Sequence, residues 1–300
     1  MQSIIKHIDY DYNDYMKIIF EICEKHSFVR YESAGKTVFG RDIPMLRIGK
    51  AADYILYTAA FHGSERITAT VLLRFICELC DAVSRGGELA GVDARRALYG
   101  RGIIFMPLCN PDGCEISLKG ALGCGAQAGW VYKLCGGDFE HWNANLRGVD
   151  INHNFDAGWE ELHELERKMG YFGPGPTRFG GTKPESEPET VALVNLCKRE
   201  NIRYVMAFHS QGEVIYWDYE NIPTYRGKKM AEIFASSSGY ALDVPTGVAY
   251  GGGFKDWFIK EYRRPGFTIE MGKGKNPLPA KAGEEIYKKT EEMMMLGLLM

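Results

Sequence analysis

The sequence has 300 residues, 45% of them hydrophobic and 25% charged, with a formal net charge of −3. That length supports one large α/β domain with a sizeable core, and the mild acidity argues against a nucleic-acid or polybasic membrane-surface binder. No apolar run reaches the roughly 18–20 residues of a membrane span, and the opening MQSIIKHIDYDYND lacks a basic start followed by a long apolar stretch, so a cytoplasmic location is expected.

Residues 12–26 space their apolar side chains as a helix does. MLRIG at 45–49 and DYILYTAAF at 53–61 read as strands, and ITATVLLRFICELCDAV at 67–83 reads as an apolar helix. Cys77 and Cys80 form a CxxC inside that helix; with no second CxxC, two buried free thiols are expected. GIIFMPL at 102–108 is a buried strand ended by the turn signal CNPDG. Residues 113–148 are glycine-rich and read as a long irregular surface excursion, with room for one disulfide among Cys114, Cys124 and Cys135. SEPETVALVNLCKREN reads as a helix capped by Ser186, with Glu189 completing a capping box. A strand at IRYVMAFHS, a helix at TYRGKKMAEIFASSS, a strand at 265–272 and a terminal helix at AGEEIYKKTEEMMMLGLL follow. The alternation predicts a mostly parallel sheet with helices on both faces. With no repeat and no linker, a single domain over residues 1–300 is expected.

Ligands of such sheets bind beyond the carboxyl ends of the strands. His62 and Glu65, in AAFHGSERITA, follow the strand at 53–61; His209 and Glu270 each end a later strand. The same spacing recurs as His163 and Glu166 in WEELHELERK, but no strand precedes it, and the pair reads as i, i+3 neighbours on a solvated helix face. Two histidines and a carboxylate, with a fourth position left to water, are a common hydrolytic zinc set. His62, Glu65 and His209 are therefore expected to bind one zinc ion. Glu270, on an apolar strand where burial raises a carboxylate pKa, is the candidate general base. Arg147, in NANLRGVDINHNF, is a candidate to stabilise a developing oxyanion. Rival motifs fail: Gly35-Lys36-Thr37 lacks the leading glycine of a phosphate loop, because Arg30 stands there, and neither G-x-S-x-G nor HExxH occurs.

Several segments, in order and over roughly residues 10–295, resemble the zinc metallocarboxypeptidase family, the carboxypeptidase A-like enzymes. FHGSE resembles the first metal motif, NPDG a turn after a central strand, and GVDINHNFDAGW the Asn-Arg substrate motif. SEPET resembles a helix start, AFHSQGEVIYW the third-ligand strand, VAYGGGFKDW the loop of a substrate tyrosine, and FTIEMG the strand of a catalytic glutamate. FHSQGEVIYW, YGGGFKDWFI and PGFTIEMGKGKNPLP look most like the bacterial branch that cleaves cell-wall peptides, which includes γ-D-glutamyl-meso-diaminopimelate peptidases.

The resemblance implies an eight-stranded mixed sheet with helices on both faces, zinc on His62, Glu65 and His209, and Glu270 as base. It implies Arg147 as the group that polarises the scissile carbonyl and Tyr250 as a mobile substrate contact, with Asn152 and His153 orienting the substrate. Glu213 and Asp256 are candidates for a specificity pocket, where a carboxylate suits the amino group of diaminopimelate. One departure stands out: the family places arginine after Asn152, and here the residue is His153. Histidine is shorter and cannot make the bidentate carboxylate fork of arginine, so strict action on free C-termini does not carry over. The expected activity is zinc-dependent hydrolysis of a peptide or γ-glutamyl amide bond in murein peptides. An ordinary carboxypeptidase or small-amide deacylase on the same site, and a non-catalytic zinc-bearing binding protein, are the alternatives. The expected partner is the peptide substrate, with no nucleic acid and no membrane.

Overall fold

The computed structural model describes residue 5 and residues 8–300; the expectation about a leader falls partly on residues outside these. Helix α1 (Tyr12–Lys25) leads into strands β1 (Val29–Lys36), β2 (Asp42–Ile48) and β3 (Tyr54–Ala59). Helix α2 (Arg66–Arg85), a short hairpin of β4 (Glu88–Leu89) and β5 (Val92–Asp93), helix α3 (Ala94–Leu98) and strand β6 (Gly102–Met106) follow. Helices α4 (Pro111–Lys119), α5 (Ala128–Cys135), α6 (Trp159–Lys168) and α7 (Pro188–Arg199) precede β7 (Ile202–His209) and β8 (Val214–Tyr216). Helix α8 (Gly227–Ser238), β9 (Ala241–Asp243), α9 (Phe254–Tyr262), β10 (Gly266–Glu270) and α10 (Gly283–Gly297) complete the chain.

Every residue of β3 and β6 is buried, and all but one of β7. Strands this apolar need cover on both faces, which parallel pairing with crossover helices supplies. The sheet has eight strands in the order β1-β2-β6-β3-β7-β10-β8-β9. β6, β3, β7 and β10 run parallel, as do β8 and β9, while β1–β2, β2–β6 and β10–β8 are antiparallel. Alternate residues feed the two faces. Tyr57, Phe105 and Phe208 pack with Ile19, Leu72, Phe75, Phe234 and Met294 from α1, α2, α8 and α10. Leu56, Ile104 and Val205 pack on the other side with Leu193, Leu196, Trp257 and Phe258 from α7 and α9. This is the mixed, helix-covered sheet that the alternation of elements predicts. No helix among the described residues is long and apolar enough to cross a membrane.

Two local expectations fail, and one open possibility closes. Residues 113–148 are not an irregular excursion: α4, a 3-10 run at Gly120–Gln127 and α5 fold over a satellite core of Ile116, Cys124, Val131 and Trp142. Glycine serves there for close approach, since a Cβ on Gly123 would lie 2.2 Å from the Glu115 carbonyl oxygen. All eight cysteines are unpaired, so the disulfide is absent. Helix α7 has Glu187 at its cap position with no side-chain cap bond, and Pro188 opens it. Ser186 instead donates to Glu187 Oε1 and receives a hydrogen bond from Asn154 Nδ2.

Candidate metal centre and cleft

The backbone leaves β3 through Ala60, whose φ of 53° is left-handed, and reaches His62 at the open end of the sheet. Asn110 holds this turn. Its amide donates to the Phe61 carbonyl at 2.9 Å and the Ala144 carbonyl at 3.1 Å, and its own side-chain oxygen caps α4 at the Gly113 N–H. Gly63 has to be glycine, because a Cβ would lie 2.3 Å from the Gly113 carbonyl oxygen and 2.5 Å from that of Trp142. β7 lies between β3 and β10. His209, its last residue, is the register partner of Glu270, the last residue of β10. Three neighbouring strand ends thus bring together four groups that are far apart in sequence.

His62 Nδ1 lies 2.9 Å from Glu65 Oε1, and His209 Nδ1 lies 3.2 Å from Glu65 Oε2. One ligand atom from each of the three residues falls within 4.8 Å of the others. The Glu65 carboxylate also receives the Ser210 N–H at 3.2 Å and Asn276 Nδ2 at 3.3 Å. Burial works against its charge, yet His62 and His209 hold its pKa below the usual range. His62 Nε2 lies 3.1 Å from Asp150 Oδ1, and Asp150 receives the backbone N–H groups of Asn152 and Arg178.

His62 therefore has a carboxylate at each ring nitrogen. Burial opposes its charging, but Glu65 and Asp150 raise its pKa well above the ordinary value. A cation at Nδ1 satisfies the same geometry differently: Nδ1 offers its lone pair while Nε2–H donates to Asp150, the arrangement seen behind most metal-bound histidines. Burial lowers the pKa of His209 and keeps it the neutral ligand form. Its Nε2 is a buried nitrogen with no hydrogen-bond partner. Two imidazoles and one carboxylate, with room for water, are a donor set suited to zinc. These residues fit one zinc ion.

The cluster opens into a cleft of about 120 Å³ whose wall includes Asn152, His153, Lys255, Asp256, Tyr216 and Glu270. Burial, with Glu65 adding and His62 countering, pushes the Glu270 pKa up to about 8. A carboxylate in that range both accepts and returns protons near neutral pH. Lys255 is only 4% exposed; it donates to the Asp218 carbonyl at 2.6 Å and pairs with Asp256. Asp256 Oδ2 receives the Gly251 N–H at 3.1 Å. Asp256 thus lines the cleft as expected, but its charge is matched by Lys255 rather than held for a substrate amine. Asn152 Oδ1 receives the Phe254 N–H at 3.1 Å and ties its turn to α9.

Three other expected site residues lie off this wall. Arg147 follows a loop that packs on the ligand turn, where Ser64 donates to Asn143 Oδ1, but its side chain is 54% exposed and its guanidinium faces Glu187 at 3.6 Å. Tyr250 points its hydroxyl at the Glu220 N–H, 2.9 Å away, and packs its ring on Tyr219 in a neighbouring groove. Glu213 is left-handed at φ 54° and pairs with Lys273 at 3.1 Å and Lys289 at 2.6 Å.

His163 and Glu166 correct the reading of a solvated face: they are 7% and 0% exposed. Glu166 bridges His153 Nδ1 at 2.6 Å and His163 Nδ1 at 3.1 Å. Asp150, Lys255 and Glu166 escape the sequence reading. The signals present were a lone acid between apolar residues in GVDIN and a Lys-Asp pair inside the apolar GFKDWF.

Residues 17–295 match the profile of the zinc carboxypeptidase family, Peptidase M14. The chain is 34% identical over 295 residues to gamma-D-glutamyl-L-diamino acid endopeptidase 1 of Lysinibacillus sphaericus, an alignment covering 97% of this chain and 72% of that protein. Among solved structures, carboxypeptidase A from Helicoverpa armigera superposes with a TM-score of 0.73 at 19% identity, over 97% of this chain and 73% of that one. Murein-tripeptide amidase MpaA from Escherichia coli O157 superposes with a TM-score of 0.55 at 20% identity, over 89% and 91% of the two chains.

Proposed function

This chain belongs to the zinc carboxypeptidase family and is a zinc metallopeptidase; on that premise we propose that it hydrolyses a γ-glutamyl or related amide bond in murein-derived peptides. The observation that carries the hydrolytic reading is the placement of Glu270 in register with His209, beside His62 and Glu65. The substrate reading draws on the L. sphaericus relative, whose name specifies a γ-D-glutamyl-L-diamino acid bond.

His62, Glu65 and His209 would hold the zinc, with Asp150 orienting His62. Zinc held there supplies Lewis acidity toward a carbonyl oxygen and acidifies water. Glu270 accepts the proton of the attacking water and returns it to the departing amide nitrogen. His153 meets a substrate carboxylate, and Asn152 shapes the wall of the cleft. Arg147 serves the oxyanion only if its guanidinium leaves Glu187: a large loss of kcat in Arg147→Ala keeps that role, and an unchanged kcat removes it. Tyr250 contacts substrate only if it leaves Glu220 in the same way. The unpaired cysteines support a reducing compartment such as the cytoplasm.

A panel of γ-D-glutamyl-diaminopimelate peptides, C-terminal hippuryl substrates and N-acyl amino acids tests the reading. The γ-glutamyl peptide is expected to give the highest kcat/KM. A faster hippuryl substrate would replace the proposal with ordinary carboxypeptidase action, and a faster N-acyl amino acid with deacylation.

A further inference from the structure

Glu166 is fully buried beside the cleft, and the chemistry above does not use it. Its carboxylate receives His153 Nδ1–H on Oε1 at 2.6 Å, His163 Nδ1–H on Oε2 at 3.1 Å and the Gly180 N–H at 3.4 Å. Burying a carboxylate is unfavourable unless such charge-assisted bonds offset it. His163 is fixed in turn, stacked on Trp159 at 4.6 Å and 15° and tilted against Phe179 at 5.7 Å. Glu166 cannot swing without losing both imidazoles. Nε2 is left as the remaining polar atom of the His153 ring, and His153 lines the cleft together with His62, His209, Lys255 and Glu270.

We propose that Glu166, backed by His163, is a positioning residue that holds His153 so that Nε2–H meets a carboxylate oxygen of the substrate. The proposal rests on the peptidase reading and narrows it to peptides with a free carboxylate close to the scissile amide. A single imidazole N–H has none of the tolerance of an arginine fork, so the contact depends on ring angle. Glu166 sets that angle.

The test compares a γ-D-glutamyl-diaminopimelate peptide with the same peptide carrying carboxamides, in wild type, Glu166→Gln, His153→Gln and the double variant. Glu166→Gln is expected to raise KM for the carboxylate peptide about tenfold or more, with kcat within about threefold and the carboxamide KM unchanged. His153→Gln should do the same, and the double variant should be no worse than either single. An unchanged carboxylate-to-carboxamide preference in Glu166→Gln overturns the proposal, whatever the melting temperature. If wild type cleaves neither peptide, the peptidase reading fails, and imidazole 15N NMR with added glutarate still decides. A shift at His153 Nε2 in wild type that is lost in Glu166→Gln sustains the proposal, and no shift overturns it.

Discussion

Glu270 and His209 face each other as register partners at the carboxyl ends of the parallel strands β10 and β7. The backbone ladder, rather than a loop, fixes the proposed proton acceptor against a proposed metal ligand, and sites on rigid elements hold their geometry best. Glu270→Gln keeps the shape and removes the proton acceptor. It is expected to retain the fold and one zinc per chain while kcat falls by roughly 10²–10⁴. Steady-state hydrolysis together with metal analysis checks this.

The role proposed for Asp150 is exerted through His62. Its Oδ1 lies 3.1 Å from Nε2, and its other oxygen receives the Arg178 N–H at 2.9 Å, so the carboxylate cannot drift. Asp150→Asn is expected to weaken zinc binding by roughly 10–100-fold. Competition against a chelator of known affinity measures the change, and an unaltered affinity would deny Asp150 the orienting role.

Lys255 and Asp256 are 4% and 3% exposed and neutralise each other. Lys255→Met leaves a buried, uncompensated carboxylate and should cost roughly 3–5 kcal/mol. Lys255→Met with Asp256→Asn should recover much of that stability. Urea unfolding of the single and double variants checks this, and a double variant no more stable than Lys255→Met would contradict the pairing.

Glu189 gives stability a pH signature of its own. Its Oε1 is buried without a partner, and burial, against the hydrogen bond from Asn145, pushes its pKa up from 4.5 to about 7. The folded chain therefore keeps a proton that the unfolded chain releases above its lower pKa. The resulting stabilisation is complete below about pH 4.5 and is lost as pH rises through 7. The shift sets a ceiling of roughly 3 kcal/mol. Glu189→Gln mimics the protonated form at every pH, so its Tm relative to wild type should climb from about pH 5 to about pH 8. A flat difference would contradict the assignment.

The convergence of His62, Glu65, His209 and Glu270 is legible in sequence because each follows an apolar run that has to be a covered strand, and strand ends converge. The helices in residues 113–148 are hidden because glycines mask them and their core forms only when Ile116, Val131 and Trp142 meet in the fold. Glu166 sits among charged neighbours on α6, and its burial depends on His153, 13 residues earlier, and on Trp159 stacking His163. Arg147 and Tyr250 show the other limit: a motif carries a residue type, whereas Glu187 and Glu220 decide where these side chains point.

The central claim is that zinc on His62, Glu65 and His209, with Glu270 as proton acceptor, hydrolyses a murein-type amide. Mass spectrometry of a γ-D-glutamyl-diaminopimelate peptide after incubation with zinc-loaded protein tests it most directly. The prediction is a single cut at the γ-glutamyl bond, abolished by chelation, restored by zinc and absent in zinc-loaded Glu270→Gln. An intact peptide, or a cut that survives both chelation and Glu270→Gln, would contradict it.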